Sequence, residues 1–267
     1  MENLNYKELI KGMHPIKRLG QNFLINNGVA KTEANFGIDR TVIELGPGFG
    51  MLTKELCKVA ERVLSIEKDR RLYEFLEENI KSRKLELVNE DFFKVRSAKL
   101  KGADIMISNI PYNLSSKVIG WLGSAQMPGV LCLQKEFVNH MLAKPPSDNY
   151  SKLSVFCGLQ FNITYIMDIP QNNFYPEPKV GSALVYLKPK KLKIKKKSME
   201  VLSFLMMHKK KKLRNALLDS VRLIGVDKES VAAIIPGIPN VDKRPFQLSP
   251  EQLLEISDYI SKELDKK

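Results

Sequence analysis

The chain has 267 residues, 43% of them hydrophobic and 27% charged, a balance that supports a buried core and excludes extended disorder as the main state. No run approaches ~18 uninterrupted apolar residues, and the opening MENLNYKELIKGMHPIK has no apolar signal core, so neither a membrane span nor secretion is expected. The 43 Lys+Arg against 30 Asp+Glu give a net charge of +13, and residues 188–267 hold +9 of it. A cationic end on a nearly neutral body points to a polyanion partner, foremost nucleic acid, with a solubilising lysine-rich segment as the alternative. Cys57, Cys132 and Cys157 are odd in number and lie near no histidine cluster. That pattern argues against a disulfide scaffold or a metal site and favours a reducing, cytoplasmic compartment.

Along the first half, short β-rich runs alternate with helical stretches. Strands are predicted at Thr41–Leu45, Arg62–Glu67, Leu85–Val88 and Ala103–Ser108, with helices at Met51–Val59 and Arg70–Ser82. The second helix is amphipathic, with Leu72, Phe75, Leu76 and Ile80 on one face. This alternation specifies βαβ units and a parallel, doubly wound α/β sheet of the Rossmann-like kind. Three further strands are expected at Gly129–Leu133, Phe161–Ile169 and Ser182–Leu187, the last two as an antiparallel edge pair. Composition changes at Lys188, where KPKKLKIKKK holds seven lysines in ten residues and reads as a linker or basic arm. A helical pattern from Ser198 to Leu223 then carries Lys209, Lys210, Lys211, Lys212 and Arg214. Held on a helix, those five side chains are the expected RNA-phosphate contact. The capping box Ser249-Pro-Glu-Gln252 opens a last helix, from Pro250 to about Leu264. Two domains follow, at 1–187 and 188–267, the second small, basic and helical.

Glu44-x-Gly46-x-Gly48-x-Gly50 lies between a strand and a helix, where glycines let the backbone approach a ligand. A dinucleotide fingerprint has a longer third spacing. The equal spacing after an acid suits S-adenosylmethionine, which has no pyrophosphate to cradle. Glu67 and Asp91 end the next two strands, where open α/β sheets bind ligands. Glu67 is placed to accept from both ribose hydroxyls, and Asp91 from the adenine amine with Phe92 beside the ring. Asn109-Ile110-Pro111-Tyr112 closes the fourth strand. An aromatic amine is a poor nucleophile because its lone pair is delocalised. The Asn109 side-chain oxygen and the Ile110 carbonyl supply two acceptors for its N–H groups. Pro111 stiffens the turn, and Tyr112 offers a face for an unstacked base.

These segments, with Lys17-Arg-Leu-Gly-Gln-Asn-Phe-Leu24, Leu133-Gln-Lys-Glu136, Asn173-Phe-Tyr-Pro-Glu-Pro-Lys179 and Arg244-Pro-Phe-Gln-Leu248, run in the order of one family. The chain resembles the small-subunit ribosomal RNA adenine N6,N6-dimethyltransferases of the archaeal and eukaryotic type. The resemblance implies methyl transfer from S-adenosylmethionine to N6 of two adjacent adenosines near the 3′ end of small-subunit rRNA, during ribosome biogenesis. It implies that Gln21, Asn22 and Leu24 border the methionine end of the cofactor, with Asn109 nearby. It also implies that Phe174 stacks opposite Tyr112 to sandwich the adenine. The expected partner is small-subunit rRNA or the pre-ribosomal subunit, with the enzyme a monomer. The rival readings are a large-subunit rRNA adenine methyltransferase and a non-catalytic transcription or ribosome-assembly factor on the same fold. Two departures stand out: Asn35-Phe-Gly-Ile-Asp39 predicts a truncated first helix, and Phe49 follows the second loop glycine.

Overall fold

The computed structural model describes residues 12–16, 19–221 and 227–265. Lys17 and Arg18 of the first motif, and Leu223 at the end of the expected helix, lie outside those residues. The described residues divide into two compact units.

The first unit, residues 1–138 and 162–189, is built on a seven-stranded sheet. Its strands are β2 (Thr41–Leu45), β3 (Arg62–Glu67), β4 (Leu85–Asn89), β5 (Ile105–Ser108), β6 (Gly129–Gln134), β7 (Phe161–Ile169) and β9 (Ser182–Pro189). They stand in the order β4-β3-β2-β5-β6-β9-β7. Pairing is parallel from β4 through β6, while β9 runs antiparallel to β6. The expected edge pair therefore exists as neighbours, but β9 is interior and only β7 is at the rim. Val42, Ile43, Val63, Ile105, Ile107, Val130 and Leu184 are fully buried. Such unbroken β-branched and aliphatic runs are what a sheet covered on both faces requires.

The order reverses at β2, which has β3 on one side and β5 on the other. A crevice opens at such a reversal, outside the carboxyl ends of the strands. A separate two-stranded ribbon pairs β1 (Phe23–Leu24) with β8 (Phe174–Tyr175), setting Leu24 opposite Phe174. The helix Asn27–Ala34 follows β1, its start capped by the Asn26 side chain, which accepts from the Gly28 and Val29 amides. It ends at Ala34 and tightens into a 3-10 turn at Asn35–Gly37, as the truncated pattern predicted. The helix Arg70–Asn79 stops three residues short of the expected Ser82, because Ile80 turns to an extended backbone. Phe49 is buried and packs edge-on against Phe23 and Phe75, with ring centroids 4.7 and 5.2 Å away.

The second unit comprises residues 139–161 and 190–267. A single boundary after residue 187 is therefore a correction on two counts: the return falls after Pro189, and residues 139–161 join the helical unit. The physical reason is apolar packing. Tyr150, Val155 and Leu159 are buried with Leu202, Leu205, Leu253 and Ile256, and the Tyr150 hydroxyl donates to the Leu248 carbonyl at 3.0 Å. The helix Pro250–Leu264 begins at the Ser249–Gln252 capping box, as read from sequence.

The basic run is a second correction. Helices form at Lys196–Met207 and Leu213–Asp219, so Lys209–Lys212 lies in the turn between them and not on a helix. The half-buried Lys209 ammonium donates to the carbonyls of Asp148 and Tyr150 at 2.9 and 2.6 Å. Lys210 faces Asp148, Lys211 faces Asp219, and Lys212 and Arg214 share Asp242.

Candidate active site

The carboxyl ends of β2, β3, β4 and β5 enclose a cleft of about 230 Å³. Gly46 and Gly48 enter from the loop after β2, Glu67 from the end of β3, and Asp91 and Phe92 from the turn after β4. Asn109 and Pro111 close it from β5, and Gln21 and Asn22 from the segment before β1. Leu24 lies instead in an adjoining depression with Glu44, Gly46 and Asn109. Gly48 has φ +59°, and a Cβ there would come within 2.8 Å of the Phe23 ring, so only glycine fits. A Cβ on Gly46 would meet nothing nearer than 3.8 Å, which leaves room for a ligand over the loop.

Glu67 is almost fully buried, and each of its oxygens takes one backbone amide. Oε1 accepts from Asp69 at 2.8 Å and Oε2 from Gly48 at 3.4 Å. Burial pushes this carboxyl up to about 7 against the pull of those amides. The two amides fix the carboxylate plane and leave lone pairs for a vicinal diol. Asp91 is gripped by Lys68 at 2.9 Å and by the Phe93 amide at 3.1 Å. The Lys68 ammonium holds it below the usual carboxylate range, so it stays an ionised acceptor. Phe92 is buried edge-on against Trp121, fixing one wall. Gln21 accepts from the Ile16 amide and donates to Asp69, which ties the N-terminal segment to the end of β3. Beneath the loop, Glu44 accepts from Thr53 and Ser65 at 2.8 and 2.6 Å, and burial raises it to about 7.

A second, smaller pocket adjoins the cleft and shares Gly20, Asn22 and Asn109 with it. Ile110, Tyr112, Cys132 and Phe174 complete its lining, so the structure brings together residues far apart in sequence. The β1–β8 ribbon does this, helped by Asn173, which accepts from the Ile25 amide and the Asn26 side chain. The Tyr112 hydroxyl is 2.7 Å from Ser182 Oγ, and burial raises it to about 12. The pocket is small, about 10 Å³ against about 230 Å³ for the cleft.

Sequence reasoning missed Glu33, Asp69 and Ser182. Glu33 carried a readable signal, because it shares the inward face Val29, Ala30, Glu33 and Ala34 of its helix, where an acid is out of place. The basic residues Lys209–Lys212 and Arg214 belong to the other unit.

The sheet order, the cleft at its reversal point and the acids at successive strand ends define a Rossmann-like S-adenosylmethionine-dependent methyltransferase. Residues 14–262 match the family model of the ribosomal RNA adenine dimethylases, and the chain belongs to that family. It is 37% identical over 253 residues to the "Probable ribosomal RNA small subunit methyltransferase A" of Thermococcus gammatolerans, covering 93% of this chain and 90% of that one. The protein of the same description from Methanopyrus kandleri is 32% identical, with 99% of each chain covered. Among solved structures, a dimethyladenosine transferase from Plasmodium falciparum superposes with a TM-score of 0.78 at 25% identity, covering 90% of this chain and 98% of that one. The 23S rRNA methyltransferase ErmE shares the fold, with a TM-score of 0.61 at 23% identity over 89% and 99% of the two chains.

Proposed function

We propose that this enzyme transfers methyl groups from S-adenosylmethionine to N6 of adenine in small-subunit rRNA, twice on each of two adjacent adenosines near the 3′ end. The observation that carries this reading is the position of Asn109, which lines both the cleft and the small aromatic pocket. A residue shared by the two sites meets both the methyl donor and its acceptor.

The residues of the cleft fit the cofactor. Glu67 takes the ribose diol, Asp91 and Phe92 take the adenine, and Gln21, Asn22 and the Gly46–Gly48 loop take the methionine end. When bound, S-adenosylmethionine supplies a methyl group on a positively charged sulfur, already activated toward in-line displacement. This chain's residues position the nucleophile and exclude water. Asn109 Oδ1 and the Ile110 carbonyl accept from the amine and draw its lone pair out of the ring plane. Tyr112 and Phe174 hold the extruded base between them. Transfer makes one N–C bond and breaks one S–C bond, and the alkylated amine loses its proton to water.

The RNA is held through the basic second unit, with the enzyme acting as a monomer in the cytoplasm. Lys210, Lys211, Lys212 and Arg214 each face an acid, so phosphate must displace an existing pair there. Lys191, Lys193 and Lys195 are exposed on the preceding arm and form no ion pair with any described residue. They are the cheaper phosphate contacts. The reading is tested with labelled S-adenosylmethionine and immature small subunits. Wild type incorporates label, while Asn109→Ala binds cofactor and subunit normally but turns over roughly 10²-fold more slowly. Wild-type turnover in that variant overturns the role of Asn109.

A further inference from the structure

Glu33 is completely buried in the last turn of the helix Asn27–Ala34. Its Oε2 accepts from Asn109 Nδ2 at 2.8 Å. Two buried atoms of the pair, Glu33 Oε1 and Asn109 Oδ1, have no hydrogen-bond partner among the described residues. A buried acid carries a desolvation cost, and a helix position among Val29, Ala30 and Ala34 would be better filled by an aliphatic residue. Burial pushes the Glu33 carboxyl up to about 8, with Glu44 adding repulsion and the Asn109 amide pulling the other way.

The geometry points to Glu33 as a positioning residue that sets which base the site accepts, by fixing the orientation of the Asn109 amide. The inference rests on the proposed adenine N6 chemistry and names a residue that determines its specificity. An asparagine amide has a donor end and an acceptor end of nearly equal shape, and only its partners decide which faces where. Oε2 engages the donor end, so Oδ1 is left as the end that can face a substrate. It is buried, unpartnered and part of a residue that lines the base pocket. An acceptor in that place matches the exocyclic amine of adenine and repels the carbonyl that guanine and inosine carry at the same ring position. An ionised carboxylate only accepts, so a flipped amide would set Oδ1 against it and present N–H groups to the base, and the preference should strengthen as pH rises through about 8. Without Glu33 nothing described on that side of Asn109 chooses between the two.

The experiment compares wild type with Glu33→Leu, Glu33→Met and Glu33→Gln, each first checked for a cooperative thermal transition. Leu and Met remove the acceptor and a buried acid together, while Gln offers both an acceptor and a donor end and so fills the space without choosing the Asn109 orientation. Turnover is measured on reconstituted immature small subunits, with subunits carrying inosine at the target position as competitor. In the apolar variants kcat falls about tenfold or more, the order of one misplaced hydrogen bond. KM for S-adenosylmethionine stays unchanged, and the preference for adenosine over inosine subunits shrinks about tenfold. Glu33→Gln restores part of the lost turnover but not the preference, because its amide pairs with either orientation of Asn109. Unchanged kcat and preference in a folded apolar variant overturns the inference. So does a loss of turnover with preference intact, which marks a merely structural role. Failure of the underlying reading is separable, since wild type would then leave adenosine subunits unmethylated whatever stands at position 33.

Discussion

Replacing Glu67 tests how the cleft holds its cofactor. In the free protein both carboxylate oxygens already accept one backbone amide each, and in the proposed complex the ribose diol adds one hydroxyl to each. Glu67→Ala removes both new bonds, at ~1.5–3 kcal/mol apiece for a charged acceptor. Affinity for S-adenosylmethionine should therefore fall by roughly 10²- to 10⁴-fold. Glu67→Gln is no conservative change, because one amide nitrogen must face either Gly48 N–H or Asp69 N–H and leave that donor unpaired. The hydroxyls favour the ionised carboxyl, and burial holds Glu67 near 7, so affinity should rise with pH through that value. Between pH 8 and pH 6 the ionised fraction falls from about nine-tenths to about one-tenth, which weakens binding up to about tenfold. Titration calorimetry on wild type and Glu67→Ala at both pH values measures these effects. Wild-type affinity in the alanine variant, or a tenfold pH dependence that survives in it, would refute the reasoning.

Three other perturbations follow from the same structure. Tyr112→Ala and Phe174→Ala should each cost ~1–3 kcal/mol of base stacking, read as a raised KM for the subunit with cofactor affinity intact. Glu33→Gln should change the pH profile of stability. A carboxyl raised from 4.5 to about 8 by folding contributes stability that is fully present below 4.5 and lost as pH rises through 8. The stability of wild type relative to Glu33→Gln should thus decline by on the order of 1.4 kcal/mol per pH unit across that window, measured by urea titration at pH 5 to 9. A flat difference would mean that Glu33 is not held neutral by its burial. In the second unit, changing Lys191, Lys193 and Lys195 to Gln should flatten the slope of log affinity against log salt by roughly two to three units. The same change at Lys210, Lys211 and Lys212 should move it by less, because each of those already faces an acid.

The cleft was legible because its chemistry sits at strand ends, where period-2 patterning and glycines mark position without any tertiary knowledge. Glu67 and Asp91 could be placed in register by counting strands alone. Phe174 came only through resemblance, since the ribbon that carries it to Asn109 depends on two-residue strands too short to read. Glu33 stayed hidden for a related reason: its partner is 76 positions away. Lys209 was misplaced because lysine favours helix locally, while its ammonium is satisfied by carbonyls of Asp148 and Tyr150. The same distance effect moved residues 139–161 into the helical unit, where Tyr150, Val155 and Leu159 find apolar partners.

The proposed activity is the placing of two methyl groups on N6 of adenine in small-subunit rRNA. Its most direct test is nucleoside mass spectrometry of small-subunit rRNA after incubation of immature subunits with the enzyme and S-adenosylmethionine, followed by mapping of the modified positions. The expected product is N6,N6-dimethyladenosine at two adjacent adenosines near the 3′ end. Label confined to large-subunit rRNA, methylation at another atom, or no transfer by a protein that binds both cofactor and subunit would contradict it.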